Sequence, residues 1–163
     1  MRIGGSPSIR NLFSLALSAT RSVKKGERNL TSESLAASAT MCFACGVDNP
    51  IGLRIRFQMR DGKCTGVFTP DENHVGYKNT VHGGIIYSAL DDVMANVLYL
   101  QDMKAHTAKC EIRYRKPLEV GQTINLTGWI AQERRRLVVL KGEARTATDD
   151  ILIADCEASF MLA

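Results

Sequence analysis

The apolar positions of the chain change period along its length. From His82 to about Leu100, Ile86, Ala89, Leu90, Val93 and Val97 recur every three to four residues. That is the spacing of one helix face and predicts one long helix. On either side the period is two. Leu53-Arg54-Ile55-Arg56-Phe57 alternates apolar and polar positions, as a half-buried strand does. Asp61-Gly62 supplies a hairpin turn ahead of a second strand, Cys64 to Phe68. Pro70, Gly76 and Asn79 interrupt residues 69–80, which read as a loop. Four β-rich segments follow the helix, roughly 107–115, 122–132, 137–148 and 151–162, separated by turn signals at Val120-Gly121, Arg134–Arg136 and Asp149-Asp150. Two strands, one helix and four strands make an α+β layout, with the helix against an antiparallel sheet.

Composition narrows the class. With 163 residues, 45% of them apolar and 23% charged, the chain suits one soluble globular domain. A net charge of +4 is too mild to indicate a nucleic-acid protein, but it suits an anionic ligand. No apolar run approaches the ~20 residues of a membrane span. Residues 1–40 differ from the rest, being rich in Ser, Ala and Arg with only Glu27 and Glu33 as acids. They read as an N-terminal extension to a domain at 41–163. A short amphipathic helix over Leu12, Phe13, Leu15, Ala16 and Leu17 would fit an organelle transit peptide. A poorly ordered extension, or a true start at Met41, fits as well. The five cysteines, at 42, 45, 64, 110 and 156, are odd in number and follow no clear secretory signal, which points to reduced thiols and a cytoplasmic protein.

The candidate chemistry sits at the helix start, in Thr80-Val81-His82-Gly83-Gly84. Glycines let backbone approach a ligand, and the first N–H groups of a helix lack internal partners. They favour an anion or a developing oxyanion. Asp91 and Asp92 lie inside the same helix, about 100° apart around it, so one of them at most faces a given site. Asp91 has Tyr87, Met94, Ala95 and Leu98 as surface neighbours, whereas Asp92 has Ser88 and Asn96 and reads as wetter. A carboxylate among apolar neighbours becomes a usable base or nucleophile, which favours Asp91. Gly83 and Asp91 are eight residues apart, about 12 Å along a helix. An oxyanion donor and a base must both lie within ~3 Å of one reacting group. If both serve one site, one helix does not easily supply both, whereas two antiparallel helices from two copies can, with the apolar surface around Asp91 as a dimer interface.

These residues match a known pattern. His82-Gly83-Gly84 with an acid nine residues after the histidine, one long helix and a four-strand meander resembles the hotdog-fold acyl-CoA thioesterases. The closer resemblance is to the phenylacetate-pathway and 4-hydroxybenzoyl-CoA thioesterase-like group. Cys42-Phe43-Ala44-Cys45-Gly46 with Asn49-Pro50-Ile51-Gly52-Leu53, and Lys109 to Pro117, resemble flanking segments of that group. The resemblance covers about residues 41–163. It implies that the Gly83 N–H meets the thioester oxygen and that His82 shapes the loop and holds the oxygen or an adjacent group. It further implies that Asp91 of the opposite subunit acts as nucleophile or general base, and that Thr107 orients water. Gly84 and Asn79 fall on the substrate-binding side. Gly76 stands where some relatives carry an Asn. The implied substrate is an acyl-CoA, with no cofactor beyond the coenzyme A of the substrate and no metal. The implied assembly is a homodimer, or a dimer of dimers.

Arg135 and Arg136, with Arg134 and Lys141, are candidates for the coenzyme A phosphates, against the plainer reading of a solvated turn. Cys42-x-x-Cys45 is half of a zinc pattern without a second close pair, so a packing pair is expected. His74 and His106 read as loop and strand-end residues. Two other activities remain open on this pattern: a hydroxyacyl-thioester dehydratase, and a non-catalytic acyl-CoA-binding sensor that keeps the pocket but lacks the base.

Overall fold

A single α-helix among the described residues, α1 (Gly83–Tyr99), lies across an antiparallel sheet. The computed structural model describes residues 39–163, and the helix expected near Leu12–Leu17 and the reading of the N-terminal extension fall outside them. The strands are β1 (Phe57–Arg60), β2 (Lys63–Phe68), β3 (Val75–Tyr77), β4 (Thr80–Val81), β5 (Ala105–Tyr114), β6 (Ile124–Arg134), β7 (Leu137–Thr146) and β8 (Leu152–Leu162). Six of them form one sheet in the order β1-β2-β6-β7-β8-β5, and β3 and β4 form a separate hairpin. No described helix is long and apolar enough to cross a membrane.

The helix buries Ile86, Ala89, Leu90, Val93 and Val97, the face its periodicity predicts. Met94 and Leu98, expected beside Asp91 on the surface, are buried too, at 0% and 1% exposure. The apolar face is therefore broader than the heptad-like stripe suggested, and these two side chains are spent within the chain. Against them the sheet turns the inward positions of its strands, including Leu126, Leu140, Ala144 and Phe160. At about 1.5–3 kcal/mol per buried aliphatic side chain, this outweighs the few tenths per residue at stake in helix propensity. Tertiary packing holds α1 in place.

One contact sets how deep the helix sits. Gly128 of β6 lies under α1 so closely that a Cβ there would stand 2.9 Å from the Val93 carbonyl oxygen and 3.3 Å from Met94 Cα. These are backbone atoms and cannot swing aside. Gly142 is the register partner of Gly128 on β7, and a Cβ there would press on Met94 Cγ at 3.2 Å. The two glycines make a shallow trough across the middle of the sheet.

Two sequence expectations need correction. The alternating segment Leu53–Phe57 is largely not a strand; β1 begins at Phe57. Burial does alternate there as expected, with Leu53, Ile55 and Phe57 inside. The backbone, however, bonds to the preceding turn, Leu53 N–H to Phe43 O at 2.8 Å and Ile55 N–H to Ala44 O at 2.9 Å, and Arg54 takes a positive φ of 54°. Period two reported which side chains go inward, not what the backbone pairs with. The second correction lies in the 69–80 loop, which contains a 3-10 turn (Glu72–His74) and, with Val81, the β3–β4 hairpin. The turn after β1 and the four strands after α1 lie where expected, within a few residues.

Valine is a strong strand former, so Gly128→Val tests packing rather than propensity. The expected result is a loss of about 1–3 kcal/mol or more by overpacking, read from urea unfolding midpoints. An unchanged midpoint would mean that the helix backbone does not rest on this strand.

Candidate active site

The helix start is built by a chain of caps. Asp71 and His74 close the 3-10 turn reciprocally, and the His74 carbonyl accepts the His82 N–H at 2.8 Å. His82 is the N-cap of α1, with extended backbone at φ −62° and ψ 133°. Its Nδ1 accepts the Gly84 N–H at 2.8 Å, which leaves Nε2 to carry the ring proton. The Ile85 and Ile86 N–H groups both turn back to the His82 carbonyl, at 3.0 and 3.4 Å. Among the described residues the Gly83 N–H meets no acceptor, so of the first-turn donors it is the one left over. The Gly83 carbonyl accepts from Tyr114 Oη at 2.8 Å, pinning this end of the helix to β5. Gly76 packs on the same corner; a Cβ there would lie 3.0 Å from His82 Cα, which is a physical reason for its small size.

Two turns further on, Asp91 Oδ1 accepts from Thr107 Oγ1 at 2.9 Å. Burial pushes the Asp91 carboxyl above its ordinary range, the Thr107 hydrogen bond pulls it back in part, and negative charge at Cys42 adds to the rise. Asp92 departs from expectation. It is more enclosed than Asp91, covered by the Cys42–Cys45 turn, and burial first, then Cys42, push its carboxyl up to about 7. Cys42 Sγ and Asp92 Oδ1 are in hydrogen-bond contact at 3.7 Å, and Asn96 Nδ2 donates to Asp92 Oδ2 at 3.2 Å. The sequence reading missed this because the covering segment lies fifty residues upstream. The pKa shift does not by itself choose between the two acids. Access does: Asp92 is occupied on both oxygens, while Asp91 is held by one hydroxyl on the exposed face of β5.

Thr107 and Tyr114 sit toward opposite ends of β5, so within one chain the Asp91 and Gly83 ends of α1 are anchored apart. The structure brings Thr107 to Asp91 and His82 to Gly84, but it does not bring Gly83 to Asp91. Of the other expected contacts, the Gly84 N–H is committed to His82. Asn79 is a turn residue with φ 59°, its carbonyl accepting the Val120 N–H at 3.3 Å. Arg135 occupies the β6–β7 turn with φ 53°. Arg136 donates to the Leu162 carbonyl at 3.2 and 3.0 Å, so its guanidinium is tied to the chain. Lys141 pairs with Glu157 at 3.6 Å. A groove of about 710 Å³ opens between β1, β2 and β6, lined by residues that include Arg54, Arg56, Thr65 and Asn125; it contains none of these groups.

Residues 78–153 match the model of the thioesterase superfamily. No curated protein matches the chain. Among solved structures, a thioesterase superfamily protein is similar at 25% identity and a TM-score of 0.68, over 72% of this chain and 61% of that one. The chain thus spans about three fifths of that protein's length. The E. coli PaaI protein of the phenylacetic acid degradation operon is similar at 20% identity and a TM-score of 0.64, over 68% of this chain and 80% of that one. A hypothetical thioesterase from Streptococcus pneumoniae TIGR4, solved with coenzyme A, is similar at 16% identity and a TM-score of 0.61, over 64% of this chain and 81% of that one. One helix packed on a six-stranded antiparallel sheet is the hotdog fold of these thioesterases.

The cap at His82 carries a stability prediction. His82→Ala should cost about 1 kcal/mol, the usual loss for an N-cap acceptor, while His82→Asp should retain most of it. Thermal unfolding of the three proteins checks this, and equal stability of wild type and His82→Ala would show that the Nδ1 bond contributes nothing.

Proposed function

We propose that this chain, a hotdog-fold member of the thioesterase superfamily, hydrolyses an acyl-CoA to a free acid and coenzyme A. The observation that carries the reading is the pairing of one unspent backbone donor, the Gly83 N–H, with one accessible carboxylate held by a hydroxyl, Asp91 with Thr107. Hydrolysis of a thioester needs both. Asp91 takes a proton from water as it attacks the carbonyl carbon, or attacks that carbon itself and is released by water in a second step. In either route the carbonyl oxygen gains negative charge, which the Gly83 N–H and the helix N-terminus stabilise, before the C–S bond breaks and the thiolate leaves. The raised Asp91 carboxyl suits a base more than a spectator charge. The coenzyme A bound in the S. pneumoniae relative supports the substrate class. Arg135 is the residue of the β6–β7 turn we assign to its phosphates, since Arg136 is tied to Leu162.

The working unit in this proposal is a homodimer. Gly83 and Asp91 of one chain lie about 12 Å apart along the helix, so each site takes Gly83 from one copy and Asp91 from the other. The edge strand β5 supports this: it is ten residues long, mostly exposed, and one of its edges has no partner strand among the described residues. Such an edge calls for a cover, and a second copy provides one by a two-fold axis. The interface expected from Met94 and Leu98 is not available, since both are buried within the chain; Tyr87, Ala95 and the β5 face remain.

Two measurements test the reading. Free thiol release from phenylacetyl-, hydroxybenzoyl-, short-chain and long-chain acyl-CoAs should give turnover that falls about a hundredfold or more in Asp91→Ala. Acyl-CoA binding without turnover by the wild type would instead favour the sensor. The oxyanion role is separable at Gly83, because proline is tolerated at the first helical position and lacks only the N–H. Gly83→Ala introduces the same crowding against Tyr114, whose Oη lies 3.2 Å from a Cβ there. Gly83→Pro should lose about 10²–10³ in kcat relative to Gly83→Ala. Equal rates would remove Gly83 from the chemistry.

A further inference from the structure

Cys42, Cys45 and Asp92 are not used by the proposed hydrolysis, yet the fold gathers them. Their ligating atoms, two Sγ and one carboxylate oxygen, all lie within 4.8 Å of one another. The thiols come from one tight turn. Gly46 N–H bonds to the Cys42 carbonyl at 2.9 Å, and a Cβ at Gly46 would stand 2.4 Å from that oxygen and 2.5 Å from Cys42 N, so this turn closes only with glycine. The carboxylate comes from the side of α1 that the turn covers.

We propose that Cys42, Cys45 and Asp92 form a binding site for a thiophilic divalent cation of the zinc type, which fastens the turn at residues 40–46 to α1. Geometry, charge and donor chemistry converge on it. Tetrahedral zinc with bonds of about 2.3 Å to sulfur and 2.0–2.2 Å to oxygen places sulfur and oxygen ligands about 3.6 Å apart; Cys42 Sγ and Asp92 Oδ1 are 3.7 Å apart. Asp92 forms no ion pair with Lys, Arg or His among the described residues. A largely enclosed carboxylate with no cationic partner is costly, and a bound cation would supply the missing charge. Two thiolates select a soft or borderline ion and disfavour magnesium and calcium. Asn96, only 3% exposed, donates to Asp92 Oδ2 and so orients the carboxylate with Oδ1 toward the thiols, the arrangement an outer-shell residue provides. Binding releases the thiol protons. The three ligands are each partly exposed, which leaves the fourth tetrahedral position to water. The sequence pattern did not reveal the site because its third ligand is neither Cys nor His and lies far along the chain.

The test is cobalt(II) titration of the reduced full-length protein after chelator treatment, followed by displacement with zinc. The expected result is about one cobalt per chain, with thiolate-to-cobalt charge-transfer absorption and the intense visible bands of a tetrahedral site. Cys45→Ser should abolish the charge-transfer band, and Asp92→Asn should weaken binding at least about tenfold. Zinc should also raise the unfolding temperature of the wild type and leave that of Cys45→Ser unmoved. The proposal is overturned by absence of the band in reduced wild type, or by a band that persists in the Cys42→Ser/Cys45→Ser double variant, which would place the cation on Cys64, Cys110 or Cys156. These readouts do not depend on turnover, so they stand or fall separately from the thioesterase reading.

Discussion

The close approach of the α1 backbone to Gly128 is the constraint from which the rest of the geometry follows. Side-chain packing between a helix and a sheet tolerates some sliding and rotation, because side chains repack. Val93 carbonyl oxygen over a strand that lacks a Cβ does not. With the helix fixed in depth and rotation there, Asp91 faces Thr107 on β5 and Asp92 faces the Cys42–Cys45 turn. Tyr114 then secures the helix start through the Gly83 carbonyl. A buried spine thus presents three different surfaces to three different neighbours.

That arrangement gives two adjacent carboxylates separate fates. Both are pushed upward by burial, and Asp92 by more. A ranking by perturbation alone would choose Asp92 for chemistry. Its oxygens are taken by Cys42 and Asn96, however, and the turn covers it. Asp91 keeps an open side. The same logic separates the two glycines: Gly84 has given its N–H to the His82 ring, so the donor available at the helix start is Gly83. In both cases the useful group is the one the fold leaves partly unsatisfied, which is where local consistency is expected to fail at a functional site.

Much of this was legible in the sequence. The Asp61-Gly62 turn reports a local backbone preference, and the helix period reports side-chain environment, which is what periodicity encodes. Thr107 was singled out by a family resemblance as a residue that orients water, and its hydroxyl bond to Asp91 is something the structure adds. What was not legible depended on distant segments. Leu53–Arg56 buries alternate side chains against the core while its backbone pairs with Phe43 and Ala44, so the pattern looked like a strand. Met94 and Leu98 were read as surface because nothing local shows how far the sheet wraps the helix. Asp92 looked wet because its cover comes from residue 42. Neighbours within one turn of helix can be counted from sequence, whereas neighbours supplied by another element cannot.

The central claim is that one site draws Gly83 and Asp91 from different copies of the chain, and subunit complementation tests it most directly. Gly83→Pro and Asp91→Ala chains would be co-expressed, and acyl-CoA hydrolysis compared with each variant alone. A mixed dimer holds one site with both defects and one with neither. The account predicts recovery to about a quarter of wild-type turnover, from random pairing into half mixed dimers with one intact site each. A mixture no more active than the better single variant, with mixed dimers demonstrably present, would contradict it and return both residues to one chain.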